Sequence, residues 1–296
     1  MIELLDRARV HATGRIYRNV IVIGDVHGSL ANLREVLDAA GLIGADDRWT
    51  GGRTHLIQTG DVIDRGSESE ACVQLLASLR EQARSAGGRV DLLVGNHELA
   101  LVAGDLSMTD VPDAESLAQQ LRQSILRGRM HAARAYHHYL ITHAGVCPSL
   151  MGRLISEICT EPEAQTTVAA IARHLNRILR LAVEHHDYTH PIFHCGPARG
   201  GDDASGGIFW ADFDAEQGVV ASPLRVWQVF GHTPPFGNDA PFRVLPDYRC
   251  VNVDVGLGEH YGGYLGYARL TPSRVLGMHC DPDGVHEELL VATPRS

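Results

Sequence analysis

Val20-Ile21-Val22-Ile23-Gly24-Asp25-Val26-His27-Gly28 is the stretch that decides the fold of this chain. Four β-branched residues in a row read as a buried strand, and the glycine and aspartate that follow end it. The pattern then repeats. Leu56-Ile57 precedes Gly60-Asp61-Val62-Ile63-Asp64-Arg65-Gly66, and Leu92-Leu93-Val94 precedes Gly95-Asn96-His97-Glu98. Later, Tyr139-Leu140-Ile141 precedes Thr142-His143-Ala144-Gly145, and the run from Val226 to Phe230 precedes Gly231-His232-Thr233. Polar residues therefore sit where strands end, and in an α/β fold the carboxyl ends of neighbouring strands share one crevice.

The side chains in these blocks suit a pair of metal ions. Aspartate, histidine and asparagine without cysteine favour borderline first-row ions: Mn is expected, with Fe or Zn as alternatives, over Mg or Ca. Asp25 and His27 lie two apart on an extended segment, so both can turn to one ion. Asp61 has two carboxylate oxygens and can bridge to a second ion at roughly 3.5–4 Å, with Asn96, His143 and His232 completing that second site. Two carboxylates against two dications leave a positive centre, which suits an anionic phosphate. A hydroxide between the ions would be the nucleophile, and His97 is the expected acid for the leaving group. Asp64 can hydrogen-bond the other ring nitrogen of His97, and Arg65 offers a planar donor fork to phosphoryl oxygens.

Taken in order, these blocks resemble the calcineurin-like metallophosphoesterases, and the uninterrupted GDxxDRG and GNHE forms resemble their phosphoprotein phosphatase branch. A narrower likeness is to the Shewanella-like protein phosphatases. It rests on Ala40 to Ile43, on Asp47 to Gly52, on Ala86-Gly87-Gly88 and on Arg199-Gly200-Gly201. The resemblance runs from about Asn19 to Leu270. It implies an α/β, four-layer α-β-β-α sandwich with two mixed sheets and a helical cap. It also implies that Asp25, His27, Asp61, Asn96, His143 and His232 hold metal, that His97 and Asp64 form an acid dyad, and that Arg65 and Arg199 contact phosphate.

The fourth block departs from the branch's usual His-Gly-Gly: His143-Ala144-Gly145 also occurs in diadenosine tetraphosphatase relatives. The expected function is a phosphomonoesterase for phosphorylated side chains, with a dinucleoside polyphosphate hydrolase as the alternative. A non-catalytic scaffold would usually have lost a ligand, and none is missing.

Composition sets the bounds. At 296 residues with 44% hydrophobic content the chain can bury one large core, and a single domain over 1–296 is expected, with a helical cap insert at about 148–203. The formal charge of −10 excludes a general nucleic-acid or anionic-membrane partner, which requires a basic face. Phosphorylated protein or a small phosphoester is the expected partner. Six cysteines without a CxxC pair read as reduced thiols, hence a cytoplasmic location. Met1 to Arg7 lacks the apolar run of a signal peptide.

Helices are expected from Ser29 to Gly41 and along the stripe Cys72, Leu76, Leu79 and Ala83. A mostly helical region is expected from His131 to His190, with Ile171, Leu175, Ile178 and Ala182 on one face, and late strands after Leu224. The glycine-rich loop from Gly196 to Gly207 reads as a mobile lid. Singly, Asp25, Asp61 or Asn96 is explained as well by turn chemistry, and only the joint pattern argues for metal. Paired histidines such as His137-His138 and His185-His186 point in different directions and read as packing or solvated residues.

Overall fold

The computed structural model describes residue 17 and residues 19–159, 167–217, 226–235 and 240–292; the amino-terminal reading of Met1 to Arg7 and the expected strand start at Arg225 lie outside them. In chain order the elements are β1 (Val20–Ile23), α1 (Leu30–Ala39), β2 (His55–Gln58), α2 (Ser69–Ser85), β3 (Arg89–Leu93) and α3 (Asn96–Ala103). Next come α4 (Ala114–Leu126), β4 (Met130–His131), β5 (Arg134–Tyr136), β6 (Tyr139–Ile141), α5 (Pro148–Ile158) and α6 (Val168–His185). The last part holds β7 (Trp227–Phe230), β8 (Arg243–Leu245), β9 (Cys250–Asn252), β10 (Leu265–Thr271), β11 (Arg274–Asp281) and β12 (Gly284–Ala292).

These strands make two mixed sheets, ordered β12-β11-β10-β1-β2-β3-β4 and β5-β6-β7-β9-β8. In the first, β1 to β4 are parallel, and the late strands add antiparallel on the other side of β1. In the second, β6, β7 and β9 are parallel. Registers keep the carboxyl ends level: Ile23 pairs with Gln58, Gln58 with Leu92, Ile141 with Val229 and Phe230 with Asn252. All the ligand-bearing loops therefore leave their sheets on the same edge. Gly24 lets the two sheets meet there, since a Cβ on it would lie 2.8 Å from Asp254 Cα.

Helices cover the outer faces. The first helix buries Leu30, Leu33, Val36 and Leu37, and Gly41 closes it at φ +67°, the left-handed conformation common just past a helix end. Ser29 holds the cap position, but its hydroxyl accepts the Glu259 N–H instead of an N–H of its own helix. The second helix buries the expected stripe of Cys72, Leu76, Leu79 and Ala83.

Between His131 and His190 the structure departs from the helical expectation at β5, which pairs with the β6 strand expected at Tyr139–Ile141. Strands of two or three residues are too short to show a period of two. Within this region α6 buries Ile171, Leu175, Leu179 and Ala182, while Ile178 is only half-buried. The α6 helix lies on β5 and β6, and Asn176 fastens it by accepting the Ala132 N–H at 2.7 Å and donating to Ala133 O at 2.9 Å. Within 148–203, α6 thus lies on the second sheet with α5 packed against it, and among the described residues of that segment Arg199 lines the pocket described next.

Candidate active site

Each motif side chain follows a strand end: Asp25 and His27 follow β1, Asp61 follows β2, and Asn96 and His97 open α3 after β3. His143 follows β6 and His232 follows β7. All seven are buried. The backbone bends sharply to place them, with φ of +47° at His27, +54° at Asp61, +68° at Asp64, +66° at Arg65 and +72° at His232. Non-glycine residues in this region carry strain, which concentrates at functional sites.

Asp61 stands at the middle. One set of donor atoms, from Asp25, Asp61, His143 and His232, lies within 4.8 Å of one another, and so does a second set from His27, Asp61 and His97. His143 Nδ1 faces Thr59 O at 3.0 Å and His27 Nδ1 faces Ile63 O at 3.1 Å. A carbonyl only accepts, so the proton sits on each Nδ1 and each Nε2 presents a lone pair to the centre. His143 Nε2 then meets Asn96 Oδ1 at 2.9 Å, His232 Nδ1 at 3.1 Å and Asp61 Oδ2 at 3.6 Å. His232 Nε2 is buried without a hydrogen-bond partner. Acceptors crowded on one another in a dry site repel unless a cation sits among them, and this donor set fits divalent metal.

The charges agree. Burial, then the neighbouring carboxylates of Asp254 and Asp61, raise the Asp25 pKa well above its ordinary value. Burial alone would also raise Asp61, but His143, His97 and His27 around it prevail and lower it. Burial pushes His27 down to about 4 and lowers His143 and His232, keeping them neutral, the form that binds metal.

His97 differs from the other histidines. Burial lowers its pKa, yet Asp61 and the hydrogen bond to Asp64 outweigh that and raise it. Its Nδ1 is 2.7 Å from Asp64 Oδ2, and its Nε2 is 3.2 Å from Arg65 NH2. A guanidinium that close leaves no place for a metal ion on Nε2, so the His27–Asp61–His97 grouping is not a three-residue metal site. Arg65 is held over the Tyr261 ring at 5.0 Å, a cation–π arrangement.

The pocket above this centre, about 520 Å³ including its open side, is lined by His27, Asp61, Asn96 and His232 at its base. Its walls are Arg65, Arg199, Met108, Trp210 and Tyr261. Arg199 is tied in place, donating to Thr233 Oγ1 at 2.7 Å and pairing with Asp212 at 3.0 Å. The glycine-rich loop that carries it has bonds from Gly201 N to Gly196 O, Cys195 N to Asp203 and Gly206 N to Glu216.

Sequence reasoning missed three contributors. Glu98 accepts N–H bonds from Gly95, Asp61 and Val62 at 2.7–2.8 Å and so shapes the Asp61 turn; burial and Asp61 push its pKa up to about 7. Asp254, buried two residues past β9, is raised to about 7 by burial; its signal was the run Val251 to Val255, which repeats the strand-then-aspartate pattern. Thr109 bonds Asp64 from 45 residues away, and nothing local in sequence marks it.

The fold and this centre define a class: an α/β protein of two mixed sheets whose strand-end loops gather aspartates and histidines able to hold metal ions. The calcineurin-like phosphoesterase family model matches residues 18–236, and the chain belongs to that family. Shewanella-like protein phosphatase 2 of Arabidopsis thaliana is 45% identical over 86 residues, which is 29% of this chain and 22% of that protein. The symmetrical bis(5'-nucleosyl)-tetraphosphatase of Edwardsiella ictaluri is 32% identical over 143 residues, 44% of each chain. The chain thus matches less than half the length of these curated relatives. Among solved structures, the cold-active protein-tyrosine phosphatase of a psychrophilic Shewanella species superposes with a TM-score of 0.65. Its identity is 22%, and the match covers 93% of this chain and 80% of that one, which supports the shared fold. No helix among the described residues is long and apolar enough to cross a membrane.

Proposed function

We propose that the chain is a metal-dependent phosphomonoesterase acting on phosphorylated side chains, phosphotyrosine among them. The observation that carries this reading is the juxtaposition of the acceptor cluster around Asp61 with Arg65 and Arg199 in the pocket wall and the buried His97–Asp64 pair beside Asp61. Asp25, His27, Asp61, Asn96, His143 and His232 would hold two divalent ions, manganese before iron or zinc, with Asp61 serving both. Such ions supply Lewis-acid stabilisation of a phosphoryl oxygen and make water acidic enough to attack phosphorus at neutral pH.

The chain's own residues do the rest. Arg65 and Arg199 bind and orient the phosphoryl group by charge-assisted hydrogen bonds. Nε2 of His97 accepts from Arg65 in this structure; once a bound phosphoryl group draws Arg65 away, that nitrogen is free to carry the proton given to the leaving oxygen, while Asp64 holds the ring through Nδ1 and favours its protonated form. The segment 148–203 enters this scheme as the carrier of Arg199. All six cysteines are free, which supports a reducing compartment such as the cytoplasm.

A second reading, dinucleoside polyphosphate hydrolysis, is favoured by Ala144 in the fourth block and by the tetraphosphatase relatives. The test is turnover of a phosphotyrosine peptide, a phosphoserine peptide and diadenosine tetraphosphate by the manganese-loaded chain. Faster turnover of a phosphopeptide is expected; preference for the dinucleotide would favour the second reading, and turnover of none would refute both.

A further inference from the structure

We propose that Thr109 is a positioning residue for the His97–Asp64 pair, and that the link between α3 and α4 exists in part to deliver it. The Thr109 oxygen accepts the Val111 N–H at 3.3 Å, which leaves its own proton to donate to Asp64 Oδ1 at 2.6 Å. Asp110 N–H adds a longer bond to the same oxygen at 3.3 Å. The other carboxylate oxygen, Oδ2, is then the one turned to His97 Nδ1 at 2.7 Å. The link also holds the adjacent backbone, because Asp110 Oδ2 accepts the Arg65 N–H at 2.9 Å.

External bonds matter here because Asp64 and Arg65 sit consecutively at φ +68° and +66°. L-residues rarely adopt that conformation, and it persists where surroundings over-determine it. Asp64 is 1% exposed, so no bulk water replaces a lost donor on Oδ1. Without the Thr109 hydroxyl, only the 3.3 Å bond from Asp110 remains on that oxygen. The carboxylate is then free to rotate toward other donors, and the His97 ring loses its fixed direction. The same link places Met108 in the pocket wall, so what touches that wall can reach the dyad through one neighbouring residue.

This inference rests on the reading that His97 protonates the leaving group, and the test separates the two. The manganese-loaded chain, Thr109→Val, Thr109→Ala, Thr109→Ser and His97→Asn are assayed for kcat and KM. The substrates are a phosphotyrosine peptide, whose leaving oxygen needs a proton, and 4-nitrophenyl phosphate, whose leaving group does not. Loss of one hydrogen bond to a charged group sets a ceiling of roughly 10- to 150-fold, and with Asp110 still bonded the expected effect of Thr109→Val is about 10-fold in kcat on the peptide. KM and metal content should hold, the loss on 4-nitrophenyl phosphate should be smaller, and Thr109→Ser should recover the rate. Thr109→Ala should behave like Thr109→Val, which removes any effect of the added methyl. Parent rates in Thr109→Val, equal losses on both substrates, or no recovery in Thr109→Ser would overturn the proposal and leave the acid role of His97 standing. An equal loss on both substrates in His97→Asn would remove the acid role, and the Thr109 proposal with it.

Discussion

Gly95→Ala is the smallest change expected to dismantle the centre while leaving the fold. The φ of Gly95 is −94° with ψ near extended, a conformation open to any residue, so the objection to a side chain is steric alone. A Cβ there would stand 2.8 Å from Asp61 Cγ and overlap both Asp61 Oδ1 and Asp61 N. The new methyl has no room to turn away, because the backbone of Asp61 and of Gly60 before it also packs closely on Gly95. Relief requires Asp61 Oδ1 to retreat by about 1 Å, against a tolerance of about ±0.2 Å in metal–ligand distances, and a misplacement of that size costs roughly 10²-fold in rate. Asp61 also fixes the α3 N-terminus by accepting the His97 N–H at 3.0 Å, so the shift disturbs His97 as well. Overpacking of this kind costs about 1–3 kcal/mol of stability, which a chain this size should survive. Calorimetric titration with manganese, kcat at saturating metal and urea denaturation measure the three quantities. Parent-like metal affinity with kcat within threefold would refute the placement of Asp61 at the middle of the centre.

Other outcomes test separate parts. Asp61→Asn should lower occupancy at both metal positions, and two ions per chain bound with parent affinity would disprove the bridging role. Arg199→Ala should reduce kcat/KM by about 10- to 150-fold, the worth of a charge-assisted hydrogen bond. It should also weaken inhibition by inorganic phosphate with metal content unchanged; unaltered phosphate inhibition would show that Arg199 serves only Thr233 and Asp212. Asp91 lies away from the catalytic pocket and accepts from His55 at 2.7 Å and from Arg89 and Arg134 at 2.6 Å. Burial would raise its pKa, but His55, Arg134 and Arg89 carry it well below the ordinary value. Its stabilisation is therefore present above the usual carboxylate range and is lost as pH falls through the folded pKa. Asp91→Asn should cost about 1–3 kcal/mol at pH 7 by removing the charge that the half-buried Arg134 and Arg89 pair with, and should weaken the loss of stability on acidification; urea unfolding at neutral and acid pH reads both.

The repeating unit of apolar run, glycine or threonine, then aspartate or histidine was legible because it is local. A buried strand needs a continuous run of β-branched residues, and the residues that end it follow at once, so the order of β1, β2, β3, β6 and β7 and the polar residues after each could be read without coordinates. The short strands β4 and β5 were not legible, since two or three residues have no period to detect, and β12 was missed because most of its residues are exposed. What only the tertiary structure decided is which polar residues meet. The convergence of Asn96, His143 and His232 depends on two sheets packed edge-level through Gly24. The pinning of Arg199 depends on Thr233 and Asp212, and the second partner of Asp64 comes from Thr109, on a link whose sequence shows no motif. Local sequence sets the residue types and the strand ends because backbone sterics and burial act over a few residues, whereas hydrogen bonds across 34 or 45 residues exist only once the core has packed and set the distance between loops.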